Sequence, residues 1–440
     1  MSSVPTAALS RTTTLRLLRS DPIGLLERAA ATGDVVPLRM PRFRVFVVVP
    51  PDLVWDVLAT GNHDFMKGPT MQAAKRLLGE SLLTSEGEVH KRRRRLIQPI
   101  FHRERIAAYG DDMVELASIA ASRWTAGEVV DVHQEMVRLT LAIVGRTLFA
   151  TDVESSDARE ISNALTEVLA QFNRLFSPFL PLTQRLPLPS TRRFNHARDV
   201  FDRTIYTMID ELRASGATGN DLLSLLLQAH EGNDAMDDTQ VRDEAITLFL
   251  AGHETTSNAL TWSWYLLSQH PAAETAVHDE LDRVLGGRVP TIADVPRLSV
   301  TTAALSESMR LYPPAWAIGR RALVERRLGD QVIPAGSVVV VSPWLLHHDE
   351  RWWPEPRAFR LDRWADEAVT FRPRHAYLPF GGGPRMCIGE GFAWMEGVLL
   401  LATIAQRWRF ELEPSQTIAM RPVVTLRPRD GMRMRALARG

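Results

Sequence analysis

The sequence predicts one mainly α-helical domain over residues 1–440, with minor β-structure near 33–50, 318–343 and 422–437. Three observations carry the prediction. Helix-period apolar patterning dominates from Pro51 to about Gln228. A much longer periodic run follows Asp237, and no repeat or linker divides the chain. A composition of 45% hydrophobic and 24% charged residues suits a large globular core. The 52 basic and 52 acidic residues cancel, which argues against a nucleic-acid partner, whose contacts need a basic excess. No apolar run reaches the roughly 18 residues of a membrane span. The first twenty residues lack a secretory core. Rich in Ser, Thr and Arg and free of acids, they also fit a transit peptide, but the preferred expectation is that residues 1–20 are disordered on a cytoplasmic protein.

Taken in order, Asp21–Thr32 reads as a helix, and "DVVPLRMPRFRVFVVVP" as two strands about a Met40-Pro41 turn. Helices follow in "PPDLVWDVLAT", "HKRRRRLIQPIF", "MVELASIAASRW" and "MVRLTLAIVGRTLF". The four prolines of Phe176–Ser190 forbid a continuous helix and make that stretch a stiff connection. Asp237 and Asp238 offer N-caps to a helix running to about Ser268, stopped by His270-Pro271. At 1.5 Å per residue it is roughly 45 Å long. "TTAALSESMRLY" is a further helix, ended by Pro313-Pro314. Turn and strand signals then alternate as far as Trp344. "EGFAWMEGVLLLATIAQRW" is the final helix, and the tail "VVTLRPRDGMRMRAL" reads as a hairpin.

The chemistry gathers in "LPFGGGPRMCIGEGF", which holds Cys387, the only cysteine. One thiol can form neither an internal disulfide nor a thiolate cluster. Gly381, Gly382 and Gly383 make a turn before it, and Gly389 and Gly391 follow at the start of the last helix. Cys387 therefore sits just ahead of a helix N-terminus, where unpaired N–H groups favour a thiolate. Arg385 offers a permanent cation for a carboxylate. A thiolate, a close glycine backbone and such an arginine suit an iron porphyrin with its propionates.

The spacing Phe380-x-x-Gly383-x-Arg385-x-Cys387-x-Gly389 resembles the cysteine-ligand loop of the cytochrome P450 family. That resemblance implies a P450-like domain with haem b (iron protoporphyrin IX) between the long central helix and this loop. Cys387 would be the iron ligand, with Phe380, Gly381, Arg385 and Gly389 beside the cofactor. In "SESMR", Glu307 and Arg310 are three apart and share a helix face. They resemble the family's structural pair, with Arg363 of "FRLDRW" as third partner and Leu361 where the family has proline. In "AGHETT", Gly252 costs about 1 kcal/mol relative to alanine in a helix. Glu254 interrupts an apolar run, where an unpaired acid is expensive. Local failures of this kind mark functional sites. Glu254 and Thr255 resemble the family's oxygen-activating acid–alcohol pair, next to Ala251 and Gly252. The bland alternative is that Thr255 bonds back to a carbonyl of its own helix. His90 and Arg94, four apart, and Arg320 resemble propionate contacts. His347, His348 and His375 have no competing ligand spacing.

The resemblance implies a haem-thiolate monooxygenase that places one atom of O₂ in an apolar small molecule. Segments matching the family's distal pocket are Met66–Leu82, Phe172–Leu182, Thr247–Ala251, Ala315–Ile318 and Val424–Thr425. They are largely apolar, with Lys67, Lys75 and Arg76 among their few charges, and a terpenoid, a fatty acid or a polyketide would all fit. A haem-thiolate peroxygenase, an isomerase or a dehydratase is the nearest alternative, and a non-catalytic haem sensor the next. The retained acid–alcohol pair separates this chain from the first, and the lack of a signalling segment from the second. No flavin or iron–sulfur segment is visible, so electrons are expected from a ferredoxin or flavodoxin with an NAD(P)H-dependent reductase. Lys91, Arg92, Arg93 and Arg95 cannot all face one way on a helix, so several are expected to be exposed and, with Arg103 and Arg105, to form a docking patch on a monomer.

Overall fold

A computed structural model describes residues 10–40, 43–149, 188–216, 219, 221–231, 234–365 and 372–439. Contacts sort the chain into two compact units, Met1–Gln72 with Ser306–Cys387 and Ala73–Leu305 with Ile388–Gly440.

The first unit is built on a five-stranded sheet. Its strands run in the order Val35–Arg39, Arg44–Val48, Val338–Val341, Ile318–Ala322 and Phe65–Lys67. The β-branched runs "RVFVV" and "VVVV" suit a pleated, half-buried surface. They pair in parallel, Val338 opposite Val45 and Val341 opposite Val48, and every other pairing in the sheet is antiparallel. Phe46, Val48, Val339 and Val341 form a core with Val54, Val57, Leu58 and Leu346. The disorder expected over residues 1–20 is corrected in part. Arg11–Ser20 is a helix, because the Ser10 hydroxyl accepts the Thr13 N–H at 3.1 Å and Thr14 and Leu17 are buried. Residues 1–9 lie outside the described residues. Asp21 caps the next helix, Pro22–Ala30, close to its expected span.

The second unit is organised by the central helix, Asp238–Gln269, 32 residues long. Asp237 and Gln240 close a reciprocal capping box at its start, and His270-Pro271 ends it as expected. Buried residues lie on all of its faces, because helices Val132–Phe149, Pro189–Ser215 and Glu390–Ala405 pack around it. Gly252 has a packing reason: a Cβ there would meet Val144 Cγ2 at 3.1 Å. The expected terminal hairpin is corrected. Leu426–Pro428 pairs with Met420–Pro422, whereas Arg433–Ala438 pairs with Trp408–Leu412 and Val129–Asp131. Gly431, at φ +74°, turns the chain from one sheet into the other. The Phe172–Leu182 segment and most of Phe176–Ser190 lie outside the described residues. Among the described residues, no helix is long and apolar enough to cross a membrane.

Candidate active site

In the first unit, the cysteine loop is a succession of tight turns. Gly381 N–H donates to Leu378 O, Met386 N–H to Gly383 O, and Cys387 N–H to Phe380 O, at 3.2, 3.0 and 3.0 Å. Gly381 and Gly383 take φ of +72° and +67°. A Cβ on Gly382 would lie 2.7 Å from Trp55 Cζ3, and one on Gly383 2.7 Å from Ala59 Cα. The glycines therefore let the loop lie directly on the helical stretch Trp55–Ala59. Trp55 is in turn stacked on His375, with ring centroids 3.8 Å apart. Cys387 is exposed, Arg385 is half-buried, and the helix that follows starts with Gly389 as its N-cap.

The loop is held from behind by a buried ion cluster. Glu307 and Arg310 meet through two hydrogen bonds of 2.8 Å, and neither is exposed to solvent. Arg310 also donates to His347 O, Pro356 O and Ala358 O. Arg363 donates to Glu307 at 3.2 Å, so the third partner is in place. Leu361–Trp364 forms a 3₁₀ turn without the family's proline. Trp364 Nε1–H and Arg360 N–H complete the shell of the carboxylate. The cluster reaches the loop through Leu378 N–H, which donates to His347 Nε2 at 3.0 Å. Burial depresses the His347 pKa to about 3, which keeps that nitrogen an acceptor. Arg320 is buried on its strand and donates to Gly319 O.

In the second unit, Glu254 and Thr255 turn to different partners. The Thr255 hydroxyl donates to Ala251 O at 2.8 Å, the bland alternative raised by its sequence. Glu254 is buried and accepts from the Thr425 hydroxyl at 2.8 Å. Burial raises its pKa, partly offset by the Thr425 hydrogen bond and the charge of Arg427. On the final helix, Glu396 is fully buried, and neither of its oxygens has a hydrogen-bond partner among the described residues. The Thr256 hydroxyl has some influence on it but is directed at Gly252 O, at 3.3 Å. Burial pushes the Glu396 pKa up to about 8.

His90 and Arg94 share the helix Gly87–Ile97, His90 buried and Arg94 half-buried. The basic patch is corrected at one position. Arg93 is buried, because it falls on the inward face with His90 and Ile97, and Glu244 neutralises it at 3.1 Å. Glu244 also accepts Leu82 N–H at 2.9 Å, and burial raises its pKa to about 7. Arg92 is half-buried, while Lys91, Arg95, Arg103 and Arg105 are exposed. Sequence reasoning missed Asn258, Glu244 and Glu396, and it named Thr425 only within the distal-pocket segment Val424–Thr425 without its bond to Glu254. Two of them carried a signal: Asn258 falls four residues after Glu254, and Glu396 heads the apolar run "EGVLLLATIA".

Among the described residues, no three His, Cys, Asp or Glu side chains converge as a metal site. The glycine-flattened loop and Arg385 beside the thiol fit a haem with carboxylate substituents.

The family model described as Cytochrome P450 matches residues 22–432. Cyclooctatin synthase of Streptomyces melanosporofaciens is 41% identical, over 93% of this chain and 90% of its own length. Cyclooctat-9-en-7-ol 5-monooxygenase of the same organism is 38% identical, over 90% and 87%. Pentalenene oxygenase of Streptomyces avermitilis is 33% identical, over 95% and 93%. The crystal structure of the cytochrome P450DA haem domain superposes with a TM-score of 0.90 at 27% identity, covering 99% of this chain and 97% of that one.

Proposed function

This chain belongs to the cytochrome P450 family, and on that premise we propose that it is a haem-thiolate monooxygenase acting on a terpenoid. The observation that carries the reading is Cys387, a lone exposed thiol on a glycine-built loop. Haem, when bound, supplies the oxygen chemistry, and a thiolate ligand favours O–O cleavage. Haem b is the proposed form. Cys387 supplies the thiolate, whose charge is favoured by the helix start that follows it. Arg385, His90, Arg94 and Arg320 would hold the propionates, and Phe380, Gly381, Gly389, Ala251 and Gly252 would bind the macrocycle. Burial raises the pKa of the Glu254 carboxyl, which suits it to pass a proton, and Thr255 presents a hydroxyl that can turn from Ala251 O.

The substrate class rests on the relatives. The names of two, cyclooctat-9-en-7-ol 5-monooxygenase and pentalenene oxygenase, specify oxidation of unsaturated hydrocarbon skeletons. They favour a terpenoid over a fatty acid or a polyketide. The working form is proposed to be a cytoplasmic monomer, one domain over 1–440. It would be reduced by a ferredoxin or flavodoxin that docks on Lys91, Arg95, Arg103 and Arg105. The test is Cys387→Ala. With no second thiol in the chain, the red-shifted CO band of the reduced protein should vanish together with oxygenation. A thiolate-type CO spectrum surviving in that variant would overturn the proposal.

A further inference from the structure

One stripe of the central helix is tied to the 420–428 hairpin at three successive turns. Glu254 Oε1 accepts from the Thr425 hydroxyl at 2.8 Å. One turn on, Asn258 Nδ2 donates to that hydroxyl at 3.1 Å. A turn further, Trp262 Nε1–H donates to Leu426 O at 3.0 Å. Positions 254, 258 and 262 are four apart and so share one face. Asn258, Trp262 and Leu426 have no solvent exposure, and Thr425 has 5%.

Asn258, Thr425 and Glu254 form one chain of hydrogen bonds with the Asn258 amide nitrogen as its first donor. The Asn258 amide nitrogen can only donate, so the Thr425 oxygen accepts from it. The single hydroxyl hydrogen of Thr425 is then committed to Glu254. The hairpin turn itself closes through main-chain atoms, Val423 N–H to Thr425 O at 3.1 Å. The turn therefore does not use the hydroxyl, which serves the carboxyl alone. Thr255, the neighbour of Glu254 in sequence, does not compete for that carboxyl, being bonded to Ala251 O.

We propose that Thr425 is a positioning residue for Glu254: its hydroxyl, oriented by Asn258, holds the carboxyl in place, so that the 420–428 hairpin governs the proton exchange of this acid. The inference rests on the reading of Glu254 as the proton-carrying group. Burial raises the Glu254 pKa, and the Thr425 hydrogen bond opposes the rise by stabilising the ionised form. The other charged group acting on the carboxyl is Arg427, on the same hairpin. His133, on the helix Val132–Phe149, has its pKa depressed to about 4 by burial and is neutral near pH 7. Its ring lies 3.4 Å from the Thr261 hydroxyl. Glu396, on the final helix, bears on Thr256.

The experiment compares haem-loaded wild type, Thr425→Val and Thr425→Ser. Isotope-edited infrared spectroscopy follows the Glu254 carboxyl through a pH titration of the resting enzyme, with Glu254→Gln to assign the band. Product formed per NAD(P)H consumed is measured across the same pH range. Valine removes the donor, so the carboxyl should titrate about one pH unit higher, and the coupling profile should move the same way. Serine should restore both. A valine variant whose Glu254 titrates with wild type overturns the proposal, as does a serine variant that fails to restore it. Should the valine variant not load haem, Asn258→Ala carries the same test, with a smaller upward shift expected and no shift overturning it. If the titration moves but Glu254→Gln leaves coupling intact, the positioning stands and the proton-carrying reading falls.

Discussion

Two glutamates, one in each unit, are equally shut off from water and oppositely equipped. Glu307 has no exposure and accepts from two arginines, an indole and a main-chain N–H. Glu396 has no exposure either, and neither of its oxygens has a donor among the described residues. A buried charge that is fully hydrogen-bonded behaves as a structural bolt, since losing any partner strands the others. A buried carboxyl without donors stays protonated, and the group remains able to give up or take a proton. Glu254 lies between these extremes, with one hydroxyl donor and the field of Arg427. The number of donors thus separates Glu307, which braces the fold, from Glu254, the acid proposed to carry the proton.

The comparison is broken most directly at Glu307. Glu307→Gln leaves Arg310 and Arg363 buried without their counter-charge, at a cost of roughly 3–5 kcal/mol. Denaturant unfolding should register that loss, and the purified protein should be poor in haem because the loop above His347 loosens. A glutamine variant of wild-type stability and haem content would make the cluster an ordinary contact.

Glu396 should behave in the opposite sense. Its folded pKa of about 8 lies above the ordinary 4.5, so its contribution to stability is complete below pH 4.5 and is lost as pH rises to about 8. Glu396→Gln removes that dependence. Relative to wild type, the variant should gain on the order of a few kcal/mol across this window and nothing further above it. Thermal unfolding at a series of pH values would measure the gain, and a flat difference would mean that Glu396 has donors after all.

The smallest effect sharpens the same contrast on one short helix. Arg93→Glu sets a buried like charge against Glu244 and should destabilise the fold. Charge reversal of Lys91 and Arg95, both exposed, should leave unfolding unchanged. It should slow reduction by an acidic redox protein and flatten the salt dependence, while dithionite reduction stays at the wild-type rate. Partner-driven reduction of that variant at the wild-type rate in low salt would place the dock elsewhere.

What could be read from the sequence was local. The turns around Cys387 follow from glycines a few residues away, the central helix from its own cap and stop, and the Glu307–Arg310 pair from a three-residue spacing. What escaped depends on residues far along the chain. Arg93 is buried because Glu244, 151 positions later, meets it. Glu254 is held by a threonine 171 positions on. The tail strands part because one pairs with residues near 130 and the other does not. The N-terminal helix escaped for another reason: a serine cap and one buried leucine are too faint to separate order from disorder.

The parallel pairing of Arg44–Val48 with Val338–Val341 also sets a timetable for biosynthesis. Roughly 290 residues separate Val48 from Val338, which at ~5–20 residues per second is a wait of roughly 15–60 s on the ribosome. A two-stranded hairpin is marginal in water by itself, and its open edge is a template for mispairing. During that interval Val47 and Val48, both without exposure in the finished protein, lack the strand Val338–Val341 that completes their cover. Shelter of the newborn N-terminus until its partner strand emerges is therefore a requirement separate from the stability of the completed fold, which cannot shorten the wait.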